Sequence, residues 1–290
     1  MQNAVSFCGK LPFEKYGAVC PDAGTDAVWN RKEEHFMKVL HIGDVVGAAG
    51  GQFLMDHLPA IKREHQIDMT IVNGENSAQG NGITKHSMEQ IFTAGADVIT
   101  TGNHCFKRRE ALSIYENPTV LRPANYPDGC AGHGVCTVDF GPWQAAVLNL
   151  SGTAYLDPLD NPFTIVEQLL EEIETPNIFV DFHAEATAEK KAMGYFLAGR
   201  VTAVVGTHTH VQTADETILA GHTGYLTDVG MTGPEESILG VAVQPAMDRF
   251  RFHFPTRFTE AEGSCFCNGV IITFDQKCGK CTKIERLILR

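Results

Sequence analysis

The chain has no apolar run approaching the roughly 20 residues that a membrane-spanning helix needs. It has no basic excess either: 23 Lys and Arg stand against 35 Asp and Glu, for a net charge of −12. Bulk electrostatics therefore disfavour long nucleic acids as partners. A small anionic ligand would need local positive charge, from metal or from clustered arginine. The nine cysteines lack the rhythm of a disulfide framework. The opening MQNAVSFCGKLPFEKYG lacks the basic n-region and apolar core of a secretion signal. The expectation is a cytoplasmic protein with no membrane partner.

What is present is a series of short apolar runs. They are KVLHI, MTIV, DVITT, AAVLNL, NIFVDF, TAVVG and GYLTDV. Amphipathic stretches such as GGQFLMDHLPAIKREHQ and TKHSMEQIFTAGA lie between several of them. Continuous apolar strands alternating with helices predict a layered α/β fold. From about Phe250 the chain reads as antiparallel strands. Residues 1–36 show no such period. Lys32-Glu33-Glu34 can be encoded by a sequence resembling a ribosome-binding site ahead of Met37. Residues 1–36 are therefore expected to be a translated leader, a mis-called start or a flexible arm, and 37–290 a single domain.

Cys265 and Cys267 precede the run GVIITF, and Cys278 and Cys281 follow it. C-x-C with C-x-x-C is a zinc pattern. If NGVIITFD and TKIERLIL form a hairpin, however, the pairs lie at opposite ends, roughly 20 Å apart. That is too far for one ion.

The residues that follow each run select a chemistry. KVLHI leads into Asp44, MTIV into Glu75 and Asn76, and DVITT into Asn103 and His104. NIFVDF leads into His183, TAVVG into His208 and His210, and GYLT into Asp228. Layered α/β folds bind ligands at the carboxyl ends of their strands. Lys and Arg, which would solvate a loop equally well, are missing from these endings.

Oxygen and imidazole donors suit Mn, Fe, Zn, Co or Ni. There are too many of them for one tetrahedral ion, and two ions sharing a carboxylate would use them well. Two divalent ions outweigh Asp44 and Glu75, so the site would attract hydroxide and phosphate. This favours phosphate-ester hydrolysis by metal-activated water. Each residue alone has a plainer reading. His183 fits a core histidine, His208 and His210 a polar turn, Asp44 and Asp228 caps or turns. The other eight of the twelve histidines lack a strand-end carboxylate or amide neighbour, and His41 reads as packing. Lys107, Arg108 and Arg109 suit either a phosphate or the solvent face of a helix.

The segments IGDVVG, NGENSAQGNGIT, TGNH, RPANYP, DFHAEATAEK, VVGTHTHVQTAD and TDVGMTGP occur in this order from Met37 to the C-terminus. They closely resemble the YmdB-like branch of the calcineurin-like metallophosphoesterases. The resemblance implies a four-layer αββα sandwich and a dinuclear metal centre. It also implies hydrolysis of cyclic nucleotides, notably 2′,3′-cyclic nucleotide monophosphates. Asp44 and His210 would hold one metal, Glu75 would bridge, and Asn103, His183 and His208 would hold the second. Asn76 would touch the first metal or the phosphate. His104 would bind the phosphate and protonate the leaving oxygen, a task that suits histidine as a residue type because it gives and takes a proton near neutrality. Arg122, Glu185 and Asp228 would support the ligands from behind, Asp228 by fixing an imidazole tautomer. The wider superfamily opens with Asp-x-His, and here Asp44-Val45-Val46 stands instead. With that histidine lost, iron or manganese is expected ahead of zinc. The resemblance also implies self-association. Two other readings stay open: a regulatory nucleotide- and metal-binding protein with little turnover, and a phosphomonoesterase on the same fold.

Overall fold

The computed structural model describes residues 35–290. The reading of residues 1–36 as leader or arm thus falls almost wholly outside the described residues. In chain order the elements are β1 (Phe36–Ile42), β2 (Asp44–Val45), α1 (Gly47–His65), β3 (Met69–Asn73), α2 (Lys85–Ala94), β4 (Val98–Thr100) and α3 (Ala111–Ile114). Then come β5 (Val135–Asp139), β6 (Gln144–Ser151), α4 (Pro162–Glu172), β7 (Ile178–His183), α5 (Thr187–Leu197) and β8 (Ala203–Thr207). The last are β9 (Thr217–Leu219), β10 (Thr223–Leu226), β11 (Met231–Pro234), α6 (Val243–Phe252), β12 (Cys265–Asp275) and β13 (Lys280–Leu289).

The strands form two sheets. One runs β2-β11-β12-β1-β3-β4, with β13 also on β12; the other runs β5-β6-β7-β8-β10-β9. β1, β3 and β4 are parallel in the first, and β6, β7, β8 and β10 in the second. Alternation along each strand assigns its two faces. Val39 points into a core between the sheets with Met69, Ile71, Phe179, Val205 and Phe274. Leu40 and Ile42 point the other way, onto Leu54 and Leu58 of α1 and Ile91 of α2. Leu148, Val180 and Val204 of the second sheet face Val166 of α4 and Met193 of α5. Helices outside, sheets inside: this is a four-layer αββα sandwich.

Local signals set the helices. Thr84 and Ser87 form a reciprocal capping box at the start of α2, and Gly95 ends it in the left-handed conformation. Lys62, Arg63 and His65 occupy the last turn of α1, where the helix dipole favours cations.

One sequence expectation fails. Antiparallel strands do not begin near Phe250, because Phe250–Phe252 close α6 and the hairpin starts at Cys265. The alternating RFRFHF has a strand's period, yet no strand among the described residues pairs with it, and a helix satisfies its own backbone. The cysteine arrangement follows the hairpin. Cys281 pairs with Phe274 in register, far along β12 from Cys267. Cys267 points into the α1 side of the sheet and Cys281 into the core between sheets, so they cannot share an ion. No helix among the described residues is long and apolar enough to cross a membrane.

Candidate active site

The carboxyl ends of β1, β3 and β4 in one sheet meet those of β7 and β8 in the other. The parallel strands make this edge, and it carries the side chains that the sequence singled out. Glu75 lies at the middle, fully buried. Its Oε1 is 3.1 Å from His183 Nε2 and 3.3 Å from His104 Nδ1, and accepts from Asn76 Nδ2 at 3.1 Å. Its Oε2 accepts the His104 backbone N–H at 3.0 Å. On one side, His210 Nε2 lies 3.5 Å from Asp44 Oδ1 and 3.3 Å from Asn76 Nδ2. On the other, Asn103 Oδ1 and His208 Nδ1 are each 3.0 Å from His183 Nε2. Two groups of donors therefore share Glu75.

The donors are aimed by what lies behind them. His208 Nε2 faces Glu185 Oε2 at 3.0 Å, and His210 Nδ1 faces the Leu239 carbonyl at 3.2 Å. A carboxylate and a carbonyl only accept, so those nitrogens carry the hydrogen. The other nitrogen of each ring, Nδ1 of His208 and Nε2 of His210, turns its lone pair inward. His183 Nδ1 is 2.9 Å from the Thr207 hydroxyl, which donates to Asp181 Oδ1 at 2.6 Å. Thr207 has one proton and gives it to Asp181, so towards His183 it accepts. His104 Nδ1 is held 3.0 Å from Asn76 Oδ1, which leaves its Nε2 for the cavity.

Both histidines of the GTHTH turn have left the strand conformation. β8 ends at Thr207, and His208 and His210 take left-handed backbone angles, with φ of 98° and 63°. Such angles cost about 1–3 kcal/mol each outside glycine. They send one ring to His183 and the other to Asp44. Glycine is required nearby for a different reason. A Cβ at Gly102 would fall 2.1 Å from His183 Cδ2, where the ring now sits.

Charge couples the set. Burial raises the Glu75 carboxyl, but the His183 charge and the hydrogen bonds from His104 and His183 outweigh it and hold it well below the usual range. Burial lowers the His183 imidazole, but Glu75, Asp44 and Asp181 raise it to about 9. Burial and the His183 charge push His208 down to about 4. Burial lowers His210 too, yet Asp44 leaves it raised. These acidic and imidazole donors draw protons to a place where a divalent cation would serve the same charges. The ligand atoms of Glu75, His183 and His208 all lie within 4.8 Å of one another, close enough to hold one ion.

The supporting residues divide. Glu185 touches a site imidazole. Asp228 does not, contrary to the tautomer role expected for it. Its Oδ2 accepts from Lys190 Nζ at 2.6 Å, from the Thr209 hydroxyl at 2.7 Å and from the Thr209 N–H at 3.1 Å. It pins the turn between the histidines rather than a ring. The Arg122 guanidinium is spent on the carbonyls of Pro123, Ala124 and Ala131, and so shapes its own loop. Arg108 is likewise bound to the carbonyls of Gln79 and Asn81. Thr207 and Asp181 escaped the sequence reading, and Asn73 reads from the sequence as no more than a turn residue. Asp181 is fully buried and takes hydrogen bonds from Asn73, Thr100 and Thr207, with His41 Nε2 3.3 Å away. The signal was available: a carboxylate inside the apolar run NIFVDF needs partners.

A cavity of about 1070 Å³ opens over these groups. Glu75, Asn76, His104, His208 and His210 lie in its wall, as do Lys107, Arg257 and Phe258.

Known proteins share this arrangement of chain. A sequence model of the YmdB-like protein family matches residues 40–287. The 2′,3′-cyclic-nucleotide 2′-phosphodiesterase of Bacillus subtilis is 45% identical over 256 residues, 87% of this chain and 97% of the relative. A hypothetical protein of Thermus thermophilus superposes with a TM-score of 0.83 at 38% identity, covering 87% of this chain and 98% of that one. A phosphatase from Mycoplasma pneumoniae superposes with a TM-score of 0.84 at 32% identity, covering 88% and 93%.

Proposed function

Because this chain belongs to the YmdB-like protein family, we propose that it is a metal-dependent phosphodiesterase that opens 2′,3′-cyclic nucleotides at O2′. One observation carries the assignment of residues: two sets of donors flank the shared carboxylate of Glu75. Asp44 and His210 would hold one divalent ion, and Asn103, His183 and His208 the other, with Glu75 common to both; Asn76, whose oxygen is taken by His104 Nδ1, would meet the phosphate with its amide nitrogen. Iron or manganese is preferred to zinc in this reading, since imidazole is scarce in the first set. Bound ions would supply positive charge to the phosphoryl oxygens and lower the pKa of water at the site.

The protein's own part is geometric. Glu185, the Leu239 carbonyl and Thr207 fix the three imidazole tautomers. Asn76 has two tasks, since its amide nitrogen lies towards Glu75 and His210 while its oxygen holds His104 Nδ1. That hold presents His104 Nε2 to the cavity as the proton donor for the departing O2′. In-line geometry puts water on phosphorus opposite that oxygen, so acid and nucleophile act from different sides. Self-association and cytoplasmic residence belong to the same reading.

The test is metal analysis of the purified protein together with a substrate panel. Turnover of 2′,3′-cyclic AMP well above a phosphomonoester, lost on chelation, is expected. Binding of the cyclic nucleotide without product would instead favour a regulatory protein.

A further inference from the structure

The segment from Ala242 to Thr259 leaves the wall of the cavity and returns to it. The Ala242 N–H donates to the Thr259 carbonyl at 2.9 Å, and Val241 bridges to Glu260 beside it. Between these ends lie α6 and an extended stretch. Of α6 only Ala246 is buried, so the arm stands away from the body. Its outer half reads RFRFHFPTRF, residues 249 to 258. Phenylalanines belong in cores, yet Phe250 is 74% exposed and Phe254 61%, with Phe252 and Phe258 about half exposed. The Phe252 and Phe254 rings stack at 5.4 Å and 21°, and the Arg251 guanidinium lies 4.8 Å over Phe252. The row ends at Arg257 and Phe258, which line the same cavity as His104.

Exposed aromatic faces interleaved with cations suit single-stranded nucleic acid. Each base offers a face to stack on, each phosphate a charge to neutralise, and no base edge need be read. A second copy of the chain fits less well. A two-fold contact would set this patch against itself, bringing Arg249, Arg251 and Arg257 onto the same three arginines. Asp248 is the one acidic residue between positions 243 and 258. The net charge of −12 disfavours a long duplex, but a few nucleotides need only this local patch.

We propose that the arm holds the 3′ end of single-stranded RNA, and that the site takes oligonucleotides ending in a 2′,3′-cyclic phosphate. This rests on the reading that the site opens such rings. The chemistry is unchanged: water oxygen bonds to phosphorus, the P–O2′ bond breaks, O2′ leaves with a proton, and a 3′-phosphate remains.

The experiment compares a pentaribonucleotide with a 2′,3′-cyclic phosphate end against the cyclic mononucleotide, on full-length metal-loaded protein. The pentamer should show kcat/KM about tenfold higher or more, as expected for a stacked base. In F250A/F254A that advantage should vanish while mononucleotide turnover and Tm stay as in wild type, because neither ring lines the cavity. Fluorescence anisotropy with a labelled pentamer bearing a 3′-phosphate reads the arm without turnover. Binding should weaken in the variant, and three arginine contacts should give a log–log salt slope of about −2. Equal kcat/KM for the two substrates in wild type would overturn the proposal, as would unchanged pentamer binding in the variant. Unchanged binding with a loss of oligomer mass would assign the arm to a contact between copies. If the pentamer binds through the arm but neither substrate is hydrolysed, the arm's assignment stands and the reading of the site fails.

Discussion

Thr207→Val isolates the hydroxyl that stands between His183 and Asp181. Valine keeps the shape of threonine in β8 and removes one oxygen. That oxygen accepts from His183 Nδ1 at 2.9 Å and donates to Asp181 Oδ1 at 2.6 Å, with all three residues fully buried. The variant strands one donor and one charged acceptor. Each stranded buried group costs about 1–3 kcal/mol, so the loss of stability should be about 2–6 kcal/mol. His183 also loses the partner that fixes hydrogen on Nδ1, so either nitrogen can carry it. Losing such a partner typically weakens metal binding by about 10–100-fold. Urea unfolding measures the first effect, and competition for manganese with a chelator dye the second. Long-range ¹H–¹⁵N spectra of the ring report the tautomer directly. Thr207→Ser keeps the hydroxyl and should restore both metal affinity and tautomer. A Thr207→Val protein with wild-type stability and wild-type metal affinity would refute the role given to this hydroxyl.

His104→Ala should retain metal and lose about 10²–10⁴-fold in turnover of 2′,3′-cyclic AMP, whereas Glu75→Ala should lose metal itself; elemental analysis beside steady-state kinetics separates the two. In protein stripped of metal, His183 is raised from 6.5 to about 9, which corresponds to at most about 3 kcal/mol. A raised histidine stabilises fully below its unfolded pKa and loses that contribution as pH climbs through the folded one. Thermal stability of the stripped protein should therefore fall between pH 6.5 and about 9, and a metal-loaded sample that falls equally would contradict the account. Metal uptake at pH 7.5 should release about one proton for the same reason, read as different calorimetric heats in two buffers. Gly102→Ala places a methyl where the His183 ring lies and should abolish metal binding. Retention of metal by that variant would mean the ring has another position.

The candidate site was largely legible because parallel strands deliver their last residues to one edge. Asp44, Glu75, Asn76, Asn103, His104, His183, His208 and His210 each follow an apolar run, and runs of that kind are the easiest elements to read. The packing of two sheets face to face was not legible from those runs, since a strand buried on both sides looks alike in one sheet or two. It came instead from the long matching segments. The polar layer behind the candidate site was hidden for a related reason. Asp181 and Thr207 sit inside strands, and a run scored as apolar absorbs one carboxylate or hydroxyl without changing its period. α6 misled because RFRFHF alternates like a strand, and a strand needs a neighbour that the fold does not supply there.

Asp228 shows how a residue can be found and its work mistaken. A carboxylate near a histidine ligand suggests a bond to the ring, which is the commoner arrangement. Here the ring partners are Glu185, the Leu239 carbonyl and Thr207, and Asp228 meets the backbone between the rings. That placement follows from the spacing His208-Thr209-His210. In a continuing strand both imidazoles would lie on one face, next to each other and on the same group of donors. To serve both sides of Glu75 the chain must turn at each histidine, and neither is glycine. The unfavourable angles need opposing forces close by. His208 N–H donates to Asp44 at 3.1 Å, and Thr209 N–H and hydroxyl donate to an Asp228 already paired with the buried Lys190. The ion pair from α5 and the end of β10 thus holds a backbone shape, and the backbone shape divides the two imidazoles between the two sides of the carboxylate.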